Sequence, residues 1–113
     1  MYKFATEKEN YETYSSGRVL YSKSGATNFP VRLASEIFQR CVNFLESSGR
    51  NSSSYGIYDP LCGVAYTLTV LGFLHGQKIN YLLGSDIDSH VLDFAEKNLN
   101  LLTKKVLIKD FSN

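Results

Sequence analysis

Two short apolar runs, Tyr55–Tyr58 and Ile79–Leu83, each end in an acidic turn and are each followed by a helical period. Thr67–His75 reads as the first helix, closed by Gly76. Val91, Leu92, Ala95, Leu99 and Leu102 recur at helical spacing and mark the second, with Asp88 or Ser89 as its cap. Strand, helix, strand, helix is a βαβα unit. Such crossovers join parallel strands, and their hand is almost always right. The fold class is therefore α/β. Val106–Ile108 is either a third strand or irregular chain.

An amphipathic helix precedes this unit. Pro30 suits a first helical turn, with Asn28 or Phe29 near the cap. Ala34, Ile37, Phe38, Cys41, Val42 and Leu45 then form one face at spacings of three and four. Ile37, Phe38 and Cys41 make either core or a face that further structure would cover. Upstream, Arg18–Ser22 has the character of a short strand and Lys23–Asn28 that of a loop. The polar, serine-rich stretch Ser47–Ser54 is the clearest linker. It separates an N-terminal extension with its helix, residues 1–50, from the βαβα half-domain, residues 51–113. A sheet of two or three parallel strands is expected to be incomplete, with one poorly covered face.

The 113 residues suffice for one small domain. A net charge of +1 advertises no polyanionic partner. Cys41 and Cys62 lie 21 residues apart with no signal peptide, which favours a reduced, cytoplasmic chain over a disulfide framework. No apolar run approaches the roughly 20 residues that cross a bilayer. His75, His90 and Cys62 lack metal-ligand spacing, so no metal site is expected. His75 sits at a helix end, where a dipole interaction is its expected role, and His90 is expected at the surface.

Ligands of parallel α/β sheets bind beyond the carboxyl ends of the strands. The two acidic turns, Asp59-Pro60-Leu61-Cys62-Gly63 and Ser85-Asp86-Ile87-Asp88, fall there. Gly63 lets the backbone approach a ligand closely. Asp86, 23 residues further on, is placed to accept hydrogen bonds from a ribose diol. Ile87 suits an adenine face. Asp59 serves either a ligand ammonium or the cap of the next helix. Pro60 and Cys62 line the turn, Cys62 through its backbone. Gly63-Val64-Ala65-Tyr66-Thr67-Leu68 lacks the second and third glycines of a dinucleotide fingerprint, and there is no Walker lysine motif. A nucleotide-dependent oxidoreductase is thus the weaker alternative. A ligand with ribose, adenine and ammonium but no phosphate fits better, and S-adenosylmethionine is one.

Several segments in order carry a more specific likeness. They are Ser16–Tyr21, Phe29-Pro30-Val31-Arg32 through Arg40, Tyr58–Gly63 with Leu68–Gly72, Ser85–Asp88 and Ala95–Leu99. Together they resemble the amino-terminal part of the AviRa-type ribosomal RNA methyltransferases, named for avilamycin resistance. The resemblance implies a partial class I methyltransferase, Rossmann-like fold. It also implies S-adenosylmethionine as cofactor and a guanosine of large-subunit ribosomal RNA as the methyl acceptor. In related enzymes an N-terminal helix approaches the methionine end, so Arg32 is either a contact for its carboxylate or a solvated arginine. The family's first turn resembles D-P-C-C-G-S-G, where this chain has Leu61, Val64 and Ala65. Ala65 is expected either to crowd the ligand or to occupy a backbone region that favours glycine. Family members are considerably longer, and no D/N-x-P-Y/F-like substrate turn follows Leu102, so catalytic residues are expected outside this sequence. Thr103–Asn113 does not resemble the family's continuation. Lys104, Lys105 and Lys109 either touch RNA or are merely solvated. A second class of function remains open, a non-catalytic fragment that self-associates through an exposed sheet edge.

Overall fold

The computed structural model describes residues 2–6, 29–50, 52–102 and 105–110, the last as backbone alone. The strand expected at Arg18–Ser22, the loop after it and Lys104 lie outside the described residues. Helix α1 spans Val31–Ser47. Strand β1, Tyr55–Asp59, leads to helix α2, Tyr66–His75, and a 3-10 turn at Gly76–Lys78. Strand β2 is Ile79–Asp86, helix α3 is Ser89–Leu99 and strand β3 is Lys105–Asp110.

The strands form one parallel sheet in the order β1-β2-β3. Both crossovers step the same way across the sheet, so their right-handedness puts α2 and α3 on one face. Their side chains meet Leu82 there, and the core gathers Leu68, Leu71, Ile79, Val91, Leu92, Ala95 and Leu99. Leu68, Leu82 and Leu99 are essentially fully buried, each stabilising the fold by roughly 1.5–3 kcal/mol. Among the described residues the other face is the less covered one. Tyr58 and Tyr81 are exposed there, and the Tyr81 ring lies where a Cβ on Gly56 would stand.

Helix α1 packs on α2 through a narrower stripe than its periodicity suggests. Ala34 and Phe38 are buried and Val42 is partly so, while Ile37 and Cys41 are exposed. Its carboxyl end is a Schellman motif. Gly49, at φ 81°, donates to the Glu46 carbonyl, and Arg50 donates to that of Leu45. At α2 the expected closure is different. Gly76 has φ −55°, a right-handed value, and opens the 3-10 turn rather than a left-handed cap. His75 is likewise not a dipole-facing cation. Its Nε2 lies 2.8 Å from Ser35 Oγ and its ring stacks on Phe38 at 4.9 Å. Burial lowers its pKa, so the ring is a neutral part of the α1–α2 contact.

The buried carboxylate of Glu36 ties residues 2–6 to α1. It accepts from the backbone N–H groups of Lys3 (2.9 Å), Phe4 (2.7 Å) and Ala5 (2.9 Å) and from Arg40 (2.6 Å). Burial alone would raise its pKa. The three backbone donors and Arg40 outweigh that and hold it at about 2. Arg32 completes the clasp, with Nε on the Ala5 carbonyl (2.7 Å), Nη2 on that of Thr6 (3.1 Å) and its guanidinium over the Tyr2 ring. A carboxyl held below its ordinary value stabilises above the usual carboxylate range and loses that contribution as pH falls through the folded value. The amide resonances of Lys3, Phe4 and Ala5 should therefore stay native at pH 5 and shift together as the pH approaches about 2. Glu36→Gln should release them at neutral pH. Unchanged resonances in that variant would show that the carboxylate does not hold the segment.

Candidate functional site

Parallel pairing of β1 with β2 ends at Asp59 opposite Gly84. From there the chain must turn back into α2, and nearly every residue of the turn is held. Asp59 Oδ1 accepts from the Leu61 N–H at 3.1 Å, an Asx turn, so Asp59 caps its own turn and not the helix. The Cys62 N–H donates to the Ser85 carbonyl (2.9 Å), and the Gly63 N–H to Asp86 Oδ2 (3.0 Å). The Ala65 N–H donates to the Cys62 carbonyl (2.8 Å) and the buried Asn98 amide to that of Val64 (2.9 Å).

Two residues of this turn are left-handed, Gly63 at φ 54° and Ala65 at φ 61°. Glycine adopts this region freely, whereas alanine is strained there by roughly 1–2 kcal/mol. Of the two expectations for Ala65, strain holds and crowding does not. The residue is 1% exposed, so its methyl lies in the core beneath the turn and not at its mouth. Gly63 differs, since a Cβ built there would meet nothing within 4 Å. The space above Gly63 is open.

The second turn supplies the facing wall. Asp86 Oδ1 also accepts from the Asp88 N–H (2.9 Å), and Asp88 in turn caps α3 through the His90 N–H (2.9 Å). A carboxylate offers about four acceptor positions, of which these backbone bonds use two. Asp86 thus organises both turns and keeps capacity for a diol. Leu61 (78%) and Ile87 (70%) present exposed apolar side chains, one from each turn. Asp59 and Asp86 both bear on Cys62. Burial first, then these two charges, push its thiol up to about 11, so it is a neutral, buried group whose Sγ also packs where a Gly84 Cβ would stand.

Of the residues singled out in the sequence, Asp59, Pro60, Cys62, Gly63, Asp86 and Ile87 come together at these turns. Arg32 is placed by its bonds to Ala5 and Thr6. Ser85 and Asn98 were missed. Asn98 carried a signal, a polar residue beside Leu99 and three from Ala95 in an apolar stripe; it is fully buried. A separate apolar cavity of about 480 Å³ lies between α1 and the edge of β1, walled by Ile37, Phe38, Cys41, Val42 and Tyr58, and reaches the first turn at Asp59. Among the described residues there is no group of three metal-ligating side chains and no helix long and apolar enough to cross a membrane.

The fold is a partial, Rossmann-like α/β fold with a three-stranded parallel sheet, and solved rRNA methyltransferase chains share it. Within that fold class the chain belongs to the AviRa family, whose model, described as rRNA methyltransferase AviRa, matches residues 1–112. The match runs past Leu102 to residue 112, so the tail from Thr103, expected not to resemble the family's continuation, falls within the family model. The chain is similar to the 23S rRNA (guanine(2535)-N(1))-methyltransferase of Streptomyces viridochromogenes, 42% identical over 102 residues. That alignment covers 90% of this chain and 39% of the relative. Structures of the rRNA methyltransferase aviRa from the same organism, at 2.4 Å and 1.5 Å, match with TM-score 0.80 and 41% identity. They cover 88% of this chain and 39% of the solved chains. The chain thus spans well under half the length of the relatives it matches.

The two thiols should separate cleanly by reactivity. Cys41 is exposed and Cys62 is buried with its pKa at about 11. Iodoacetamide at pH 8 should add one label, at Cys41, to the native protein and a second only after denaturation. Two labels added at similar rates under native conditions would mean that the turn over Cys62 is open.

Proposed function

We propose that this chain binds S-adenosylmethionine at its two acidic turns and forms the cofactor-binding part of a ribosomal RNA guanosine methyltransferase. One observation carries the cofactor reading. Asp86 fixes the N–H of Gly63, a left-handed glycine with open space above it, and keeps about two acceptor positions beyond its two backbone bonds. The RNA substrate is supported by the relative from Streptomyces viridochromogenes, a 23S rRNA guanine methyltransferase. S-adenosylmethionine would supply an electrophilic methyl group on sulfur. The residues here would bind and orient it, which contributes to rate through proximity and alignment. Asp86 accepts from the ribose hydroxyls, Ile87 covers an adenine face, Gly63 leaves room for the ligand, and Asp59 lies within reach of an ammonium. No general base is assigned among these residues.

Calorimetric titration with S-adenosylmethionine and with its demethylated product tests this reading. Saturable binding is expected, lost in Asp86→Ala. Gly63→Ala should weaken it at least about tenfold, since the new methyl enters the open space. That variant's melting point should fall by only about 5 °C, because the strain is that of one left-handed alanine. A folded chain that binds neither ligand would refute the reading.

A second reading has its own observation. The outer edge of β1 is unpaired among the described strands, and beside it the apolar cavity exposes Phe29 (44%), Ile37 (45%) and Tyr58 (52%). This supports self-association of two copies edge to edge. Light scattering should then show a mass that rises with concentration and falls back to the monomer in Ile37→Lys. A constant monomer mass at all concentrations would dismiss it.

A further inference from the structure

We propose that Ser85, acting with Tyr58, is a positioning residue that presets the first turn for the ligand; this rests on the cofactor reading above. After Gly84, β2 continues for two residues while β1 has already turned away. On its far side β2 still pairs with β3, Ser85 opposite Lys109 and Asp86 opposite Asp110. On the near side its polar groups have no strand to meet, and they take the turn instead.

Consecutive strand residues point to opposite faces. Ser85 and Asp86 therefore grip the turn from both sides of the sheet. On one side Ser85 Oγ donates to the Pro60 carbonyl at 3.1 Å. On the other, Asp86 holds the Gly63 N–H. Between them the Ser85 carbonyl takes the Cys62 N–H. Pro60 has no hydrogen to give its partner, so the serine proton is committed to that carbonyl. The Tyr58 hydroxyl, 3.0 Å from Ser85 Oγ, must then be the donor to Ser85. The chain of bonds runs in one direction, Tyr58 to Ser85 to Pro60, and fixes the first residue after the strand. Ser85 is fully buried, whereas Pro60 and Tyr58 are exposed. Deleting the hydroxyl would leave both partners in reach of water. Its loss should cost little stability yet free the turn, which separates positioning from scaffolding.

The test uses the full chain and measures amide hydrogen exchange together with affinity for the demethylated cofactor product. In Ser85→Ala, exchange at Cys62 and Gly63 should accelerate at least about tenfold, while Leu82 and Leu83 in β2 keep wild-type rates. The dissociation constant should rise about tenfold, the scale of one hydrogen bond. The melting point should move by less than about 5 °C. Tyr58→Phe should act in the same direction by about threefold, and it serves alone if Ser85→Ala does not fold. Wild-type exchange at Cys62 and Gly63 in the variants would overturn the proposal. So would an unchanged dissociation constant in a variant whose turn exchange has risen. If the wild-type chain binds no ligand, the cofactor reading fails on that result. The exchange rates then still decide whether Ser85 holds the turn.

Discussion

The carboxylate of Asp86 is the constraint on which the rest of the site depends. Parallel pairing of β1 and β2 stops at Asp59, and the chain must reverse into α2 within six residues, Pro60 to Ala65. Such a reversal leaves backbone donors without strand or helix partners, and leaving them unpaired costs free energy. Asp86 satisfies one donor in each turn, the N–H of Gly63 and that of Asp88. The first bond sets the left-handed glycine, above which the space is open. The second sets the residue that caps α3. A single side chain thereby couples the ends of two strands to the starts of two helices.

The strain in this turn is local and compensated locally. Ala65 holds a left-handed conformation that costs roughly 1–2 kcal/mol. Against that stand the burial of its methyl, about 0.8 kcal/mol, and the hydrogen bond of its N–H to Cys62. Asn98 adds a buried bond from α3 to the adjoining Val64 carbonyl. These terms are of similar size, so the turn closes with alanine at this left-handed position. The same arrangement explains the inert thiol. Cys62 is buried near the Asp59 and Asp86 carboxylates, and its thiol reaches the Gly63 carbonyl at 3.5 Å.

Away from the site, α1 is joined to the βαβα unit by side-chain chemistry and not by sheet hydrogen bonds. Phe38, Ser35 and neutral His75 make the contact with α2, and Glu36 and Arg32 bind the first residues to the opposite flank. Between α1 and the unpaired edge of β1 an apolar cavity remains. Relatives extend well beyond the length matched here, the alignment covering 39% of each.

Much of this was legible in the residue order. The βαβα period, the two acidic turns, Gly63, Asp86 and the Asp88 cap follow from local rules: which spacings bury a face, which side chains accept from a turn, and where glycine is favoured. Those rules act over a few residues, so the sequence by itself determined the elements, their parallel order and the position of the two acidic turns. The rest depended on distance in space. His75 was taken for a helix-end cation because its neighbours in sequence suggest one; its neighbours in space are Ser35 and Phe38, and burial keeps it neutral. Gly76 marked a helix end correctly, yet its backbone conformation was decided by how directly the chain runs into β2. Glu36 was not singled out in the sequence, because the three backbone donors that converge on it lie more than 30 residues away. Ser85 was read only as part of the second turn, because its bonds to Tyr58 and Pro60 exist only where one strand outlasts its neighbour by two residues. Tertiary structure alone decided these four, since hydrogen bonding and desolvation respond to what surrounds a group and not to what precedes it in the chain.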